Sequence, residues 1–576
     1  MPSYLSPGVF VEEVPSAIQT IAGVGTNTVG FIGVVEDTIE YPVLLPDDKY
    51  QGQLRDAQNK IYGTDDDYKD AAVQGKLTAA QNGLNDAGNK AARANQAATK
   101  ADNDVGTATA AQGKLKPDAT DADKAAAQAA IDAATTTQAK ARKDVTDANA
   151  AVKAATAEVA RWTALLNTPM SERIRAAKSS SREAARSAVK RYESQTFSVA
   201  DKAPVGQAKL CTNFAEFQAR FGPWSLYDDD AVAAGDAAAV TLSGHQVLSH
   251  AVYGFFNNGG SRCFVARVRK DNLADDLNKV LTSFESIESI SLVAFPGDSA
   301  NDEVSDALVA HCEATRYRFA ILDAPGKVED PQGFVDFEQL TYDSADPVLP
   351  KRSKHAAVYF PYLLVTDPTL QMQQANLDEI PSKYKGQVHV PCSGHMAGIY
   401  ARTDTQRGVW KAPANTSVLG AQNVKYYVSR QAQDGLNPQG VNCIRALNGD
   451  IVVWGGRTVG GQENGEWRYV NVRRTFLYIA KSIDEGTQWV VFEPNDMSLW
   501  GKVRRNVSAF LTTVWRDGGL FGASPEEAFF VKCDAENNPP ESRADGRLVI
   551  EVGLAIAWPA EFVIFKIMQG TSLQPA

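Results

Sequence analysis

The sequence predicts an α+β fold: a mixed α/β core with terminal β-arms and an inserted antiparallel, Ala-rich helical hairpin. Three observations predict it. From about residue 196 to 440, β-prone runs alternate with amphipathic helical stretches, the pattern of helices packed on a sheet. Between about 70 and 195 the composition shifts abruptly to Ala, Lys, Asp, Gln and Thr, with almost no aromatics before Trp162. Near the start, residues 9–14 form a β-prone run with no partner close by in sequence, and runs at 548–558 and 562–568 are candidates to pair with it.

At 576 residues the chain is too long for one ordinary core, and five segments are distinguished. Residues 1–22 are read as an N-terminal β-arm. Pro7-Gly8 opens Val9-Phe10-Val11-Glu12-Glu13-Val14, and Pro15 ends the run. A lone strand must complete a sheet, in its own chain or in a neighbour's. Residues 23–69 start the core, with a strand at 28–35 in which Gly30 and Gly33 suggest tight packing.

Residues 70–195 are read as a surface insertion, a helical coiled-coil hairpin. Leu77, Ala80, Leu84, Ala87, Ala91, Ala94, Ala98, Ala101, Val105 and Ala108 follow 3-4 spacing, and a second series runs from Ile131 to Leu166, broken only at Gln138. Lys116-Pro117-Asp118 supplies the turn and Thr120 a new helix start. Each arm of about 45 residues would reach roughly 65 Å. Gly75, Gly83, Gly88 and Gly106 each weaken the first helix by about 1 kcal/mol, which leaves low-complexity disorder as the alternative. A shorter basic helix over 171–192 leads back to the core.

Residues 196–440 form a mixed α/β middle domain. Strands are expected at 290–295, 319–322 and 356–365, and a helix with an Asn/Asp cap at 301–316. The stretches around Asp201, at 227–244 and at 330–355 read as surface excursions. Residues 441–576 form a C-terminal domain, with strands at 451–454 and 489–492 and a helix over 472–484. Pro494-Asn495-Asp496 starts a further helix that runs to Trp515, closed by Gly518-Gly519.

A formal charge of −11 argues against a general nucleic-acid partner, because Lys and Arg are interleaved with acids. The longest apolar runs fall far short of a membrane span, so no membrane insertion is expected. The start, Met1-Pro2-Ser3-Tyr4, lacks a basic region and an apolar h-region, and folding in the bacterial cytoplasm is expected. Cys211, Cys263, Cys312, Cys392, Cys443 and Cys533 form no C-x-x-C pair and read as buried free thiols.

Four segments together resemble the contractile tail sheath family. They are Tyr4-Leu5-Ser6-Pro7-Gly8-Val9-Phe10-Val11-Glu12-Glu13 with Gly23-Val24-Gly25-Thr26; Gly394-His395-Met396-Ala397-Gly398-Ile399-Tyr400-Ala401-Arg402-Thr403-Asp404 with Gly408-Val409-Trp410-Lys411-Ala412-Pro413; Val472-Arg473-Arg474 with the stretch from Gln488 to Trp500; and Phe510 to Trp515 with Gly518-Gly519-Leu520-Phe521-Gly522 and Ala528 to Asp534. The 70–195 insertion matches nothing in that family's core.

The resemblance implies a structural subunit, not an enzyme. Copies would polymerise helically around an inner tube protein, meet baseplate and terminator or cap proteins, and contract to drive the tube through a target envelope, in a phage virion or a contractile injection particle. It also implies strands shared between subunits, for which Val9, Phe10, Val11 and Val14 on the arm and Leu548, Ile550, Val552, Phe562 and Ile564 near the other end are the expected residues. On the helix ending at Trp515, Leu499, Val503, Val507, Phe510, Leu511 and Val514 make a core-facing stripe. Lys502, Arg504 and Arg505 lie off it, either as an ordinary solvated basic face or, as the family suggests, as an inner-tube contact. The alternative function is a cell-surface or particle-surface binding protein that uses the hairpin.

Catalytic patterns are weak. P-loop, H-E-x-x-H and G-x-S-x-G motifs are lacking, and no cofactor or metal is expected. Cys392-Ser393-Gly394-His395 could hold a thiol nucleophile, but such a pair in a Gly-containing turn is usually structural. Asp65-Asp66-Asp67 resembles the opening of a calcium loop that lacks its Gly and terminal Glu.

Overall fold

A run of apolar residues with a strict two-residue alternation can serve two cores at once, and the central sheet of this protein is built that way. A computed structural model describes residues 21–564, apart from 117–118, 298–300, 331 and 345–347. The chain divides into two compact units: one holds the chain up to Val43 and from Tyr192 onward, the other Leu44–Arg191.

In chain order the strands are β1 (Val29–Val34), β2 (Thr38–Leu44), β3 (Tyr192–Ser198), β4 (Lys209–Cys211), β5 (Cys263–Val268), β6 (Leu292–Ala294), β7 (Phe319–Asp323) and β8 (Ala356–Phe360). They continue with β9 (Leu363–Thr366), β10 (Gln387–Val390), β11 (Thr416–Ser417), β12 (Asn423–Val424), β13 (Val441–Leu447), β14 (Asp450–Val453), β15 (Phe529–Lys532) and β16 (Glu551–Leu554). The longer helices are α1 (Asp47–Tyr62), α2 (Asp70–Gly113), α3 (Asp121–Leu166), α4 (Met170–Ala188), α5 (Gly244–Asn257) and α6 (Leu273–Glu285). After them come α7 (Asp302–Thr315), α8 (Ser393–Arg407), α9 (Arg430–Gln439), α10 (Val470–Gly486) and α11 (Met497–Arg516).

Nine strands form one sheet in the order β11-β14-β13-β8-β7-β6-β1-β5-β4. Its six central strands are parallel, and the outer ones join antiparallel. Parallel strands are buried on both faces, which is why these are mostly apolar. Val29, Phe31, Leu292, Phe319 and Ile321 point into one core, shared with Leu248 and Phe255 of α5 and Met396 and Tyr400 of α8. Ile32, Val293, Ala320 and Leu322 point into the other, with Phe284 of α6 and Leu308 of α7. The two glycines of β1 permit this closeness: a Cβ on Gly30 would lie 2.5 Å from the Phe284 ring, and one on Gly33 2.9 Å from Leu248. Smaller sheets are β10-β9-β12, β15-β16 and β2-β3.

In the second unit α2 and α3 run antiparallel. Gln112 donates to Gln128 (3.0 Å), while Gln138 and Arg142 both donate to Asp102 (2.8 and 3.1 Å). Val73, Leu77, Ala91, Ala101 and Ala141 are the buried residues of the pair. Thr120 accepts from the Asp123 N–H and caps α3. At the base, the buried Arg173 of α4 donates to Asp70 (2.7 Å) and to the carbonyls of Tyr68, Leu166 and Thr168, tying both helix ends together.

Several expectations are corrected. The strand placed at 356–365 is two strands in different sheets, because Pro361 offers no N–H to continue a ladder. Residues 441–453 are not the start of a separate block: β13 pairs with β8 and extends the main sheet. The strand placed at 489–492 is a turn. Its N–H groups are used locally, Val491 to Gln488 (3.2 Å) and Glu493 to Val490 (3.1 Å), and Phe492 has φ +68°, which no strand accepts. Within 227–244, read as a surface excursion, Tyr227 and Ala231 belong to the core. The second unit begins at Leu44, ahead of the composition change, because polar α1 packs in it; Gln58 of α1 donates to the Lys178 carbonyl of α4 (3.3 Å).

Candidate functional site

The region of interest grows from α11. Asp496 caps it, accepting from the Leu499 N–H at 2.9 Å, and its apolar stripe of Leu499, Val503, Val507, Phe510, Leu511 and Val514 is buried with Ile479, Leu520 and Cys533. Onto this cluster pack Phe529 and Val531 of β15 and, from the other side of the hairpin, Leu548, Ile550, Val552, Leu554 and Ile556. β15 and β16 pair antiparallel, Val531 opposite Val552.

The side chains of Leu548, Ile550 and Val552 therefore serve the core of their own chain, while the backbone of their strand is only half used. Ala555 donates to Ala528 (2.9 Å), Ala557 to Gly519 (3.3 Å), and Ala555 accepts from Phe521 (2.7 Å), all on one side. By the two-residue period of a strand, the N–H and C=O groups of Val552, Leu554 and Ile556 point the other way. No strand pairs with that edge among the described residues. Beside it lies a groove of roughly 720 Å³, walled by Val552, Leu554, Ile556 and Trp558 on one side and Trp467, Val472 and Phe476 on the other. The chain then passes to Glu561, which accepts from Arg457 (2.7 and 2.9 Å), Asn437 (2.7 Å) and Tyr469 (2.7 Å). Burial would raise the Glu561 carboxyl, and these donors hold it below its ordinary value. Beyond it Phe562 and Ile564 are exposed and in no strand. Val9, Phe10, Val11 and Val14 lie outside the described residues.

Lys502, Arg504 and Arg505 sit on α11 away from the stripe. Lys502 is half-buried and both arginines are exposed. Among the described residues none of the three is in an ion pair. The groove and the turn at Phe492 were not legible in the sequence.

The residues with catalytic overtones are committed to structure. Asp323 at the end of β7 accepts from the Ser393 N–H (2.7 Å), the Ser393 hydroxyl (2.6 Å) and the Cys392 thiol (3.4 Å), closing the start of α8. Burial, with Asp323 beside it, pushes the Cys392 thiol well up, away from the thiolate a nucleophile needs. Asp65, Asp66 and Asp67 face Lys178, Lys69 and Lys76, and Asp67 caps with Thr64. The six cysteines are buried and free.

Two family models match the chain: phage tail sheath protein central domain over residues 272–459 and phage tail sheath C-terminal domain over 462–569, together just over half of it. Among curated relatives, the tail sheath protein of Burkholderia phage BcepMu is 29% identical over 184 residues, 31% of this chain and 37% of that protein. The tail sheath protein of Vibrio phage KVP40 is 29% identical over 153 residues, 26% of this chain and 22% of that one. The matches thus span well under half of those relatives' own length. Among solved structures, a chain of the anti-feeding prophage baseplate aligns with TM-score 0.49 and 27% identity, over 64% of this chain and 89% of that one. The contracted sheath complex of the extracellular contractile injection system PVC gives TM-score 0.49 and 26% identity, over 63% and 87%.

Proposed function

The chain belongs to the phage tail sheath protein family, and from that premise we propose that it is the structural subunit of a contractile sheath, polymerising helically around an inner tube and contracting to drive that tube through a target envelope. The observation that carries the reading is the open edge of β16. It offers backbone groups that no strand among the described residues pairs with, beside an apolar groove and within the segment matched by the C-terminal family model. A strand edge with an apolar slot suits an extended segment, whose main chain completes the ladder while alternate side chains fill the slot. Residues 9–14 of a neighbouring copy are the proposed occupant, since Val9, Val11 and the flanking Phe10 supply β-branched and aromatic side chains at strand spacing. A contact in which one part of a subunit docks on a different part of the next is head-to-tail, and when it does not close into a ring it propagates as a helix. Lys502, Arg504 and Arg505 are proposed to face the inner tube, and the unit Leu44–Arg191 is proposed to add a surface outside the shared assembly contacts. Baseplate and cap proteins are the proposed partners at the two ends. Negative-stain microscopy of the purified protein tests the reading: it is expected to show long hollow helical tubes, and a protein that stays monomeric at high concentration would refute it.

A further inference from the structure

Cys211 ends β4 and Cys263 opens β5, and the register of that antiparallel pair sets them directly opposite each other: Lys209 faces Val265, Leu210 faces Phe264 and Cys211 faces Cys263. Opposed residues leave a sheet on the same face. Here that face is the core that also holds Val265 and Phe217, whereas Leu210 turns outward and is 39% exposed. Both thiols are free and fully buried. Opposed Cα atoms of an antiparallel ladder lie about 4.5 or 5.5 Å apart, according to the pair type, and a disulfide accepts about 4.4–6.8 Å. The backbone therefore already holds these two cysteines at bonding range. No second pair of this kind exists among the described residues, since Cys443 faces Phe360 and Cys312, Cys392 and Cys533 lie outside the strands. β4 is also the outermost strand of the nine, three residues long and joined to the sheet through β5 alone.

We propose that Cys211 and Cys263 form a redox-set staple: they stay thiols in a reducing medium and join as a disulfide when the chain meets a low-molecular-weight disulfide, locking the edge strand β4 to β5. The closed strand protects them. Burial pushes the Cys211 thiol up to about 12 and the Cys263 thiol well above its ordinary value, so neither is a thiolate at neutral pH while β4 is in place. Oxidation thus passes through an opened edge. A short edge strand opens far more readily than the whole domain, and opening returns both thiols to water and to the ordinary range near about 8.5. Arg220, which donates to the Leu210 carbonyl, opposes the effect of burial at Cys211 and favours its thiolate. That thiolate attacks oxidised glutathione, forms a mixed disulfide and releases one glutathione thiolate; the Cys263 thiolate then attacks the Cys211 sulfur and releases the second. Two protein thiols lose two electrons and two protons, and one glutathione disulfide becomes two glutathione thiols. The new bond closes a loop of about 50 residues in the unfolded chain, which favours the folded one.

The test incubates the purified full chain with oxidised glutathione at pH 8.5, long enough for the amide hydrogens of residues 209–211 to exchange. Free thiols are then alkylated in denaturant and the peptides mapped by mass spectrometry without reductant. The expected product joins 211 to 263 and is two hydrogens lighter than the two free peptides together, with Cys312, Cys392, Cys443 and Cys533 alkylated. The joined protein should melt about 5 °C above the reduced one, and dithiothreitol should reverse the shift. Cys211→Ala should show no shift with oxidant. Recovery of both cysteines as thiols overturns the proposal, because the edge has by then opened many times without reaction. A glutathione adduct that never resolves into the 211–263 bond, a bond from either to another cysteine, or a joined protein that melts no higher than the reduced one overturns it equally.

Discussion

Arg474 and Asp404 form a two-pronged ion pair, at 2.8 and 2.6 Å, with both side chains only 4% exposed. The same Asp404 accepts the Thr26 hydroxyl (2.6 Å), and Arg474 donates to the Thr26 carbonyl (3.0 Å) and covers the Tyr400 ring. One buried knot therefore joins the chain just before β1, the last turn of α8 and the first turns of α10. Removing either partner leaves an uncompensated buried charge, which costs about 3–5 kcal/mol. Arg474→Ala and Asp404→Ala should each lower the unfolding free energy read from urea melts by that amount, and the double variant should cost much less than the two together. Additive losses would show that the pair is not the unit of stability.

Acid should weaken the fold through its buried, neutral imidazoles. Burial, reinforced by Arg318 beside His311 and Arg473 beside His355, lowers both of these rings to about 4. Burial likewise holds His245 at about 4 and His395 at about 3. The unfolded rings titrate near 6.5, so the unfolded chain binds more protons between that pH and about 4. Stability is complete above about pH 6.5 and is lost as the pH falls through this window, at about 1.4 kcal/mol per pH unit for each ring. Melting temperatures at pH 7.5, 6 and 5 should decline monotonically. A flat profile down to pH 5 would contradict the burial of these neutral imidazoles.

Four of the five glycines of α2, those ahead of its last residue, weaken the helix for no packing reason. A Cβ at Gly75, Gly83, Gly88 or Gly106 would meet nothing within 4 Å. Replacing each with Ala removes backbone freedom from the unfolded chain and should stabilise the helix by about 0.5–1 kcal/mol per site. Hydrogen exchange across residues 75–106 in the full chain reads this directly: protection should rise severalfold in the fourfold variant. Unchanged exchange would mean that opening of this helix is governed elsewhere.

The unit Leu44–Arg191 should be dispensable for the fold of the rest. It enters and leaves the other unit through β2 and β3, neighbours in one small sheet, and the Leu45 N–H reaches the Arg191 carbonyl at 3.0 Å, so its two ends meet. Joining them through a short Gly-Ser turn replaces a long closure with a short one and should change the stability of the remaining unit by about 1 kcal/mol or less. Calorimetry should keep one cooperative transition near the parental temperature, and tubes should still form. A chain that no longer folds would show that the insertion supports its host.

Much of the core was legible in the sequence because its signals are local. Strands β1, β6 and β7 are short apolar runs, and Asn301 and Asp496 announce their helices as side-chain caps that accept from Glu303 and Leu499. What escaped depends on partners far along the chain. Helix α1 is polar and buries only Tyr50, so its place is set by α4, over a hundred residues later. Trp489 to Phe492 has strand composition, but β-propensity measures fit to a half-buried neighbour, and here no neighbour is supplied. The run 548–558 reads as a strand in need of a partner, but which of its edges stays open among the described residues is set by β15 and by Gly519–Phe521, not by its own composition.

The last prediction concerns that edge. Val552, Leu554 and Ile556 direct their backbone groups away from β15, toward the groove walled by Val472 and Phe476. If residues 9–14 of a neighbour complete this ladder, about five hydrogen bonds at a net 0.5–1.5 kcal/mol each, with burial of Val9 and Val11, make one link worth several kcal/mol. Such a link, repeated along a helical lattice, would persist while subunit bodies rotate against one another. Deleting residues 1–15 should then leave a chain that melts as before and sediments as a monomer. Val552→Pro should act from the other side of the contact, because its missing N–H faces the open edge and not the β15 ladder. Val552→Ala controls for the lost side chain and should polymerise better than the proline variant. Tubes of normal length from the truncated chain, or equal polymerisation by the proline and alanine variants, would mean that the subunits are joined by something other than a shared strand.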